Sequence, residues 1–155
     1  MDRDNSSQAA ERAPELTELT FTLLDKLFLV VIGAEPPSNS EVWDLIRTAR
    51  SVGVASSAFV IQTAGGAPTE LQQRYLLDVI AADRPPIAVL TNGAAIRGAV
   101  KAAAVFGGFR ADAFGLDDIA AAVAFVGAPT ERIVLVARAL ARLRLRIGMP
   151  REGAS

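Results

Sequence analysis

The sequence of 155 residues contains no histidine and no cysteine. Without histidine, the chain lacks the most frequent general base near neutral pH and the most frequent metal ligand. Without cysteine, it lacks thiol nucleophiles, disulfides and zinc–thiolate sites, and the redox compartment stays undetermined. A catalytic site would have to use carboxylates, Lys, Arg, aliphatic hydroxyls or Tyr75, the single tyrosine. We therefore expect a protein that is not an enzyme and that has no cofactor and no metal site.

Long apolar runs are also missing. The longest ones are much shorter than the roughly 20 residues that a membrane-spanning helix requires. The N-terminal residues Met1 to Asp4 are polar and lack the apolar centre of a signal peptide. The prediction is a cytoplasmic protein without a transmembrane segment. Apolar residues still make up 51% of the chain and charged residues 21%, a composition that suits one globular domain.

The formal net charge is −1, but the charges are distributed unevenly along the chain. Residues 1–131 contain 10 basic and 16 acidic side chains, whereas residues 132–155 contain 6 basic and 1 acidic. The basic segment has the spacing of an amphipathic helix, with Arg138, Arg142 and Arg146 opposite an apolar stripe. Such a helix can cover the core, pair with a second copy in a homodimer, or bind an acidic partner or an anionic membrane surface. We favour the core-covering role, and we expect no nucleic acid partner because the helix lacks aromatic side chains. The stripe consists of Ile133, Val136, Leu140, Leu143 and Ile147.

The apolar pattern predicts an α/β domain with a mixed sheet of about five strands and four helices, plus the extra C-terminal helix. The first two strands form an antiparallel hairpin around Asp25 and Lys26, and the others are parallel because helices connect them. The predicted strands are residues 16–24, 27–32, 58–61, 87–90 and 109–114. We expect a disordered leader at residues 1–15, the domain at 16–127, the C-terminal helix at 128–148 and a flexible tail at 149–155.

Helix starts can be predicted from capping residues. Two helices begin with a Ser or Thr that is followed three residues later by Glu or Gln, the spacing of a capping box. The pairs are Ser38 with Glu41 and Thr69 with Gln72. Thr91 or Asn92 is expected to cap the helix over residues 94–106, and Thr130 to cap the last helix. In the helix over residues 70–82, the side chains predicted to face the core are Leu71, Tyr75, Leu76, Val79 and Ile80.

Two strand ends open into helices through short turns, residues 65–69 and 91–93. The carboxyl ends of parallel strands lie at one edge of a sheet, where ligands and partners often bind. Gly65 and Gly66 provide either positive φ angles or a close approach to a phosphate or a partner. Arg97 and Lys101 lie one turn apart and form either a basic docking surface or a solvated helix edge. The candidate partner-binding residues are Gly65, Gly66, Thr69, Gln73, Thr91, Asn92 and Arg97.

The chain resembles bacterial proteins of the anti-sigma-factor-antagonist fold, the STAS-like or SpoIIAA-like family. The resemblance covers about residues 16–127 and depends on the order of the elements together with several short segments. These segments are residues 65–69, 72–74, 89–100, 110–114 and 116–118. The resemblance implies the STAS-like fold and a regulatory protein–protein interaction module in signalling, rather than an enzyme.

In family members that are switched by phosphorylation, an Asp-Ser pair lies at the start of the helix after the central strand. This chain has residues 62–66 at the corresponding place and lacks that pair. Thr63 and Thr69 are the nearby hydroxyls and so the candidate phosphoacceptors. The favoured function is a non-enzymatic regulatory or scaffolding module that binds a protein partner through residues 65–80 and 91–97. The first alternative is a small-molecule or lipid-binding domain. The second is a phosphoryl-transfer or nucleotide enzyme, for which the sequence offers no catalytic constellation.

Overall fold

A mixed sheet of five strands organises the computed structural model, which describes residues 15–150. The strands are β1 (Leu19–Leu24), β2 (Leu27–Ile32), β3 (Ala58–Thr63), β4 (Ile87–Leu90) and β5 (Ala111–Phe114). They are hydrogen-bonded in the order β1-β2-β3-β4-β5. β1 is antiparallel to β2, and all other neighbours are parallel. The predicted α/β class, the N-terminal hairpin and the parallel strands are confirmed. Residues 1–14 of the predicted leader and 151–155 of the predicted tail lie outside the described residues.

Five α-helices surround this sheet in residues 15–150. They are α1 (Asn39–Val52), α2 (Glu70–Ile80), α3 (Ala94–Gly107), α4 (Ile119–Phe125) and α5 (Ile133–Arg146), with 3-10 turns at Val54–Ser56 and Thr130–Arg132. Both predicted capping boxes are present, at the starts of α1 and α2. The predicted Thr130 cap is wrong, because Thr130 begins a 3-10 turn that continues into α5. Within that turn the Thr130 carbonyl accepts a hydrogen bond from the backbone N–H of Ile133, so the helix start is satisfied by backbone atoms.

The core lies on both faces of the sheet. All six residues of β2 are buried, and they alternate between the two faces because successive side chains of a strand point in opposite directions. Phe28, Val30 and Ile32 pack with α1, whereas Leu27, Leu29 and Val31 pack with α4 and α5. On that second face, α5 buries Val136, Leu140 and Leu143 of its apolar stripe. The stripe therefore covers the sheet and is not exposed for pairing with a second copy.

The helices α2 and α3 pack less deeply than α1. α2 packs mainly against α1, and α3 packs mainly along β5 without burying any of its residues completely. In α2 the half-buried side chains of Leu76, Val79 and Ile80 face the core. The prediction that Leu71 and Tyr75 also face the core is wrong, because both are exposed, and Tyr75 packs against Trp43 of α1. The helical spacing of apolar residues identified the inward face of α2, but it assigned two exposed residues to that face.

The two ends of the described chain lie side by side. The backbone N–H of Thr17 donates to the Met149 carbonyl, and that of Gly148 donates to the Thr17 carbonyl. Leu16 and Pro150 form an isolated antiparallel bridge. Met149 and Pro150, predicted to belong to a flexible tail, are thus paired with the segment that precedes β1. Within residues 15–150, no helix combines the length and the apolar composition needed to cross a membrane.

Candidate interaction site at the carboxyl edge of the sheet

The two predicted turns leave the sheet next to each other. Gln62 of β3 lies opposite Leu90 of β4 in the parallel register. The next residues, Thr63 and Thr91, are therefore neighbours across the two strands, and both are buried. From there the chain enters the turns before α2 and α3. The expectation that both turns lie at the carboxyl edge of adjacent parallel strands is confirmed.

The first turn is closed by its own hydrogen bonds. The Thr63 hydroxyl donates to the Gly66 carbonyl over 2.5 Å and accepts from the Gly65 N–H over 3.2 Å. The N–H of Ala64 donates to the Ile32 carbonyl, and that of Gly66 donates to the Gly33 carbonyl at 2.8 Å. Three consecutive amides of the turn are thus already used within the chain. The alternative that this glycine turn holds a phosphate on its backbone is not supported by this geometry.

The two glycines of this turn have different roles. Gly65 has a φ of +126°, a region that side chains with a Cβ rarely adopt. Gly66 is buried, and a Cβ there would lie 2.3 Å from the Glu35 carbonyl oxygen and 2.6 Å from the Gly33 carbonyl oxygen. The close approach considered for Gly66 therefore exists, but it is to the loop after β2 of the same chain. Gly66 packs the turn against this loop and is not exposed to a partner.

The starts of α1 and α2 are joined by Gln72, which is buried. Its side-chain oxygen accepts from the Thr69 N–H, while its Nε2 donates to the Pro37 carbonyl at 2.7 Å and to Asn39 Oδ1 at 2.9 Å. Gln72 thus completes the capping box and also connects α2 to the loop before α1. Thr69 is exposed, and its hydroxyl oxygen accepts from the Gln72 N–H. Gln73 is exposed as well and donates to the Pro68 carbonyl.

The second turn is ordered by side chains that do not cap α3. The Thr91 hydroxyl accepts from the Gly93 N–H at 3.0 Å, and Asn92 Oδ1 accepts from the Leu116 N–H at 3.3 Å. The N-cap of α3 is Gly93, without a side-chain hydrogen bond, so the predicted cap by Thr91 or Asn92 is wrong. Thr91 instead forms a hydrogen bond within the turn, and Asn92 forms one with the segment after β5. Arg97 Nη2 donates to the Thr91 carbonyl at 3.2 Å, which places a half-buried guanidinium group at the edge.

The predicted partner-binding residues therefore differ in accessibility. Gly65, Thr69, Gln73 and Asn92 are exposed, and Arg97 is half-buried. Gly66 and Thr91 are buried and give the turns their shape. Of the two candidate phosphoacceptors, Thr63 is buried and hydrogen-bonded inside its turn, whereas Thr69 is exposed.

An exposed aromatic pair lies beside this edge and was missed by the sequence reasoning. The rings of Trp43 in α1 and Tyr75 in α2 are tilted against each other with their centroids 4.9 Å apart. Trp43 is 38% exposed, Tyr75 is 37% exposed, and Leu71, one turn before Tyr75, is 49% exposed. In α1 the buried apolar residues are Val42, Leu45, Ile46 and Ala49, and the position of Trp43 outside this spacing is the signal that the sequence offers. We call the carboxyl-edge surface the set formed by this pair, Leu71 and the exposed residues Gly65, Thr69, Gln73 and Asn92 together with Arg97.

A buried carboxylate fixes the N-terminal end of α1. Glu41 Oε2 accepts from the backbone N–H groups of Glu18 and Leu19, and Oε1 accepts from the N–H and the hydroxyl of Ser38. Burial raises the pKa of Glu41, but donation by the amides of Ser38, Leu19 and Glu18 and by the Ser38 hydroxyl outweighs it. The pKa of Glu41 therefore lies below its ordinary value of 4.5. This side chain holds the start of β1 against α1 and has a structural role.

Acidic side chains do not form a metal site in the described part of the chain. No group of three His, Cys, Asp or Glu side chains suited to a metal ion occurs in residues 15–150. Comparison with protein-family models, with curated proteins and with solved structures finds no match.

Proposed function

We propose that this protein is a non-enzymatic regulatory or scaffolding module that binds a protein partner through the carboxyl-edge surface. The observation that carries the proposal is the exposed Trp43–Tyr75 pair with Leu71, next to the polar side chains of the two turns. Tyr and Trp are enriched among the residues that contribute most to protein–protein binding, and a polar rim commonly surrounds them. The mixed five-stranded sheet is compatible with the STAS-like resemblance, which supports the same class of function.

The surface is prepared for binding without further folding. The turn before α2 is closed by Thr63 and Gly66, and Gln72 fixes the first turn of α2 to the loop before α1. A partner would therefore meet side chains whose backbone is already ordered, which lowers the entropy lost on association. Since the turn amides are used internally, recognition depends on the side chains of Leu71, Tyr75 and their neighbours. Of the two candidate phosphoacceptors, Thr69 is the exposed one, and phosphorylation there would act on this surface.

The proposal can be tested by capturing partners on immobilised protein and then measuring affinity with the purified partner. Leu71→Ser removes an exposed apolar side chain from the carboxyl-edge surface. Leu135→Ser is the matched control, because Leu135 is similarly exposed, at 43%, but belongs to α5 on the opposite face of the sheet. We expect Leu71→Ser to weaken binding at least about tenfold, equivalent to about 1.4 kcal/mol, and Leu135→Ser to leave it unchanged. Equal affinities of wild type and Leu71→Ser would remove the carboxyl-edge surface from consideration.

A further inference from the structure

A cavity of about 160 Å³ that is partly open to solvent lies between α1, α2 and the sheet. Its walls consist of apolar side chains only, and these come from α1, from α2 and from the strands. Ala49 belongs to the wall formed by α1, Phe59 and Ile87 to the wall formed by the strands, and Leu76 and Val79 to the wall formed by α2. Native cores rarely contain voids larger than a water molecule, and an empty cavity loses the dispersion contacts of its walls. A cavity of this size needs an explanation.

The cavity exists because α2 is held in place mainly by contacts at its start and on its outer side. Gln72 holds the first turn of α2 to the loop before α1, and the Trp43–Tyr75 pair holds the outer side. Beyond these contacts α2 packs mainly against α1 and less closely against the strands. The side chains of Leu76 and Val79 remain half-buried as a result. The cavity is therefore bounded by the two helices and is most accessible along α2.

The chemistry of the walls restricts the possible occupant. Buried water requires two to four polar partners, and these walls provide none. A charged or hydroxylated molecule would lose its hydrogen bonds with water without compensation. Apolar cavities of about 150 Å³ remain dry and take up benzene, so a molecule with one small ring fits the volume. Lipid chains are too long for it.

We propose that this cavity is a binding site for a small neutral apolar molecule of about the size of benzene. The site is separate from the carboxyl-edge surface, and the proposal does not depend on the proposed partner binding. Its occupant would contact α2 directly through Leu76 and Val79. Ligand binding is therefore expected to protect the amides of α2 from hydrogen exchange.

Benzene is the probe for this site, and the melting temperature of the purified protein is the readout. Binding to the native state alone raises the melting temperature, and above the dissociation constant the increase grows with the logarithm of the free benzene concentration. Benzoate, the same ring with a charged carboxylate, is expected to give no increase. Ala49→Leu fills the cavity from α1 and Val79→Phe fills it from α2, so that either variant that folds should lose the response to benzene. Ala102→Leu on the exposed face of α3 is the matched control and should keep it.

The expected result is a melting temperature that increases with benzene concentration for wild type and Ala102→Leu, together with slower exchange of α2 amides. Two results would overturn the proposal. One is no increase for the wild type with benzene up to its solubility limit. The other is an equal increase with benzoate, or with a folded cavity-filling variant, since ligand would then be bound elsewhere.

Discussion

Replacing Glu41 by Gln tests whether a buried carboxylate connects β1 to α1. Glu41 is 5% exposed, and each of its oxygens accepts two hydrogen bonds. Glutamine has nearly the same shape but keeps only one accepting oxygen, and its NH₂ group would face two donors. The substitution therefore removes two of the four hydrogen bonds and the negative charge that strengthens the other two.

The expected loss of stability follows from these numbers of bonds. A hydrogen bond to a charged group contributes about 1.5–3 kcal/mol, and a buried donor without an acceptor is destabilising by a similar amount. Relaxation of the loop around Ser38 recovers a part of this. We therefore expect Glu41→Gln to lower the free energy of unfolding by about 2–4 kcal/mol at pH 7. This is a large share of the roughly 5–15 kcal/mol that stabilise a typical domain.

The pH dependence has a defined sign. The pKa of Glu41 is lower in the folded protein than its ordinary value of 4.5, which applies to the unfolded chain. Its contribution to stability is therefore complete above the unfolded pKa and is lost as the pH falls through the folded pKa. Glutamine does not titrate. The difference in stability between wild type and Glu41→Gln should accordingly be constant at neutral pH and decrease below 4.5.

Urea unfolding followed by the fluorescence of Trp43, the single tryptophan, measures this difference. Glu70→Gln is the matched control, since Glu70 also lies in the first turn of a helix but is exposed and paired with Arg74. An exposed pair of this kind contributes at most about 0.5–1 kcal/mol, so the control should change little. A Glu41→Gln variant as stable as the control, or a difference that stays constant from pH 7 to about pH 3.5, would refute the reasoning.

Two further substitutions test the supports of the carboxyl-edge surface by the same unfolding assay. Gly66→Ala should destabilise the protein by about 1–3 kcal/mol, because its Cβ would lie 2.3 Å from the Glu35 carbonyl oxygen. Gly98→Ala, in exposed helix with no atom near the added methyl group, should be neutral or stabilising, and the opposite order would contradict the assigned roles. Gln72→Leu should lower the free energy of unfolding by about 1–3 kcal/mol, because the Pro37 carbonyl is left without its buried donor. Wild-type stability in this variant would show that the link between α1 and α2 is unimportant.

Local sequence signals predicted much of the fold. Residues 27–32 form an uninterrupted apolar run, and the structure confirms them as β2, buried on both faces. The capping boxes at Ser38 and Thr69 depend on residues only three positions apart, so their geometry could be inferred without tertiary information. The crossover helices required parallel strands, and the structure confirms parallel pairing from β2 to β5. These features succeed because the interactions that determine them lie close together in the sequence.

Interactions between distant segments were not predictable in the same way. Glu41 was identified as the partner of Ser38, but its bonds to Glu18 and Leu19 connect residues more than 20 positions away. Tyr75 has the correct helical spacing for the core, yet it pairs with Trp43 because α2 lies beside α1. The two turns were placed at the correct edge of the sheet, while the buried position of Gly66 depends on the path of the loop after β2. Periodicity defines a face of a helix and does not say which neighbour will occupy it.

Within residues 15–150, no strand pairs with the outer edge of β5, so this is an edge at which another strand could add to the sheet. The carbonyls of Arg110 and Phe114 accept hydrogen bonds from the N–H groups of Ile87 and Thr91, so the backbone of Ala113, by alternation, points away from β4. The outward N–H of Ala113 is occupied by the Asp112 side chain at 2.8 Å. A charged side chain that uses an edge donor opposes the addition of another strand. Strand addition at β5 is thereby disfavoured, and this supports recognition through the side chains of α1 and α2 beside the carboxyl edge.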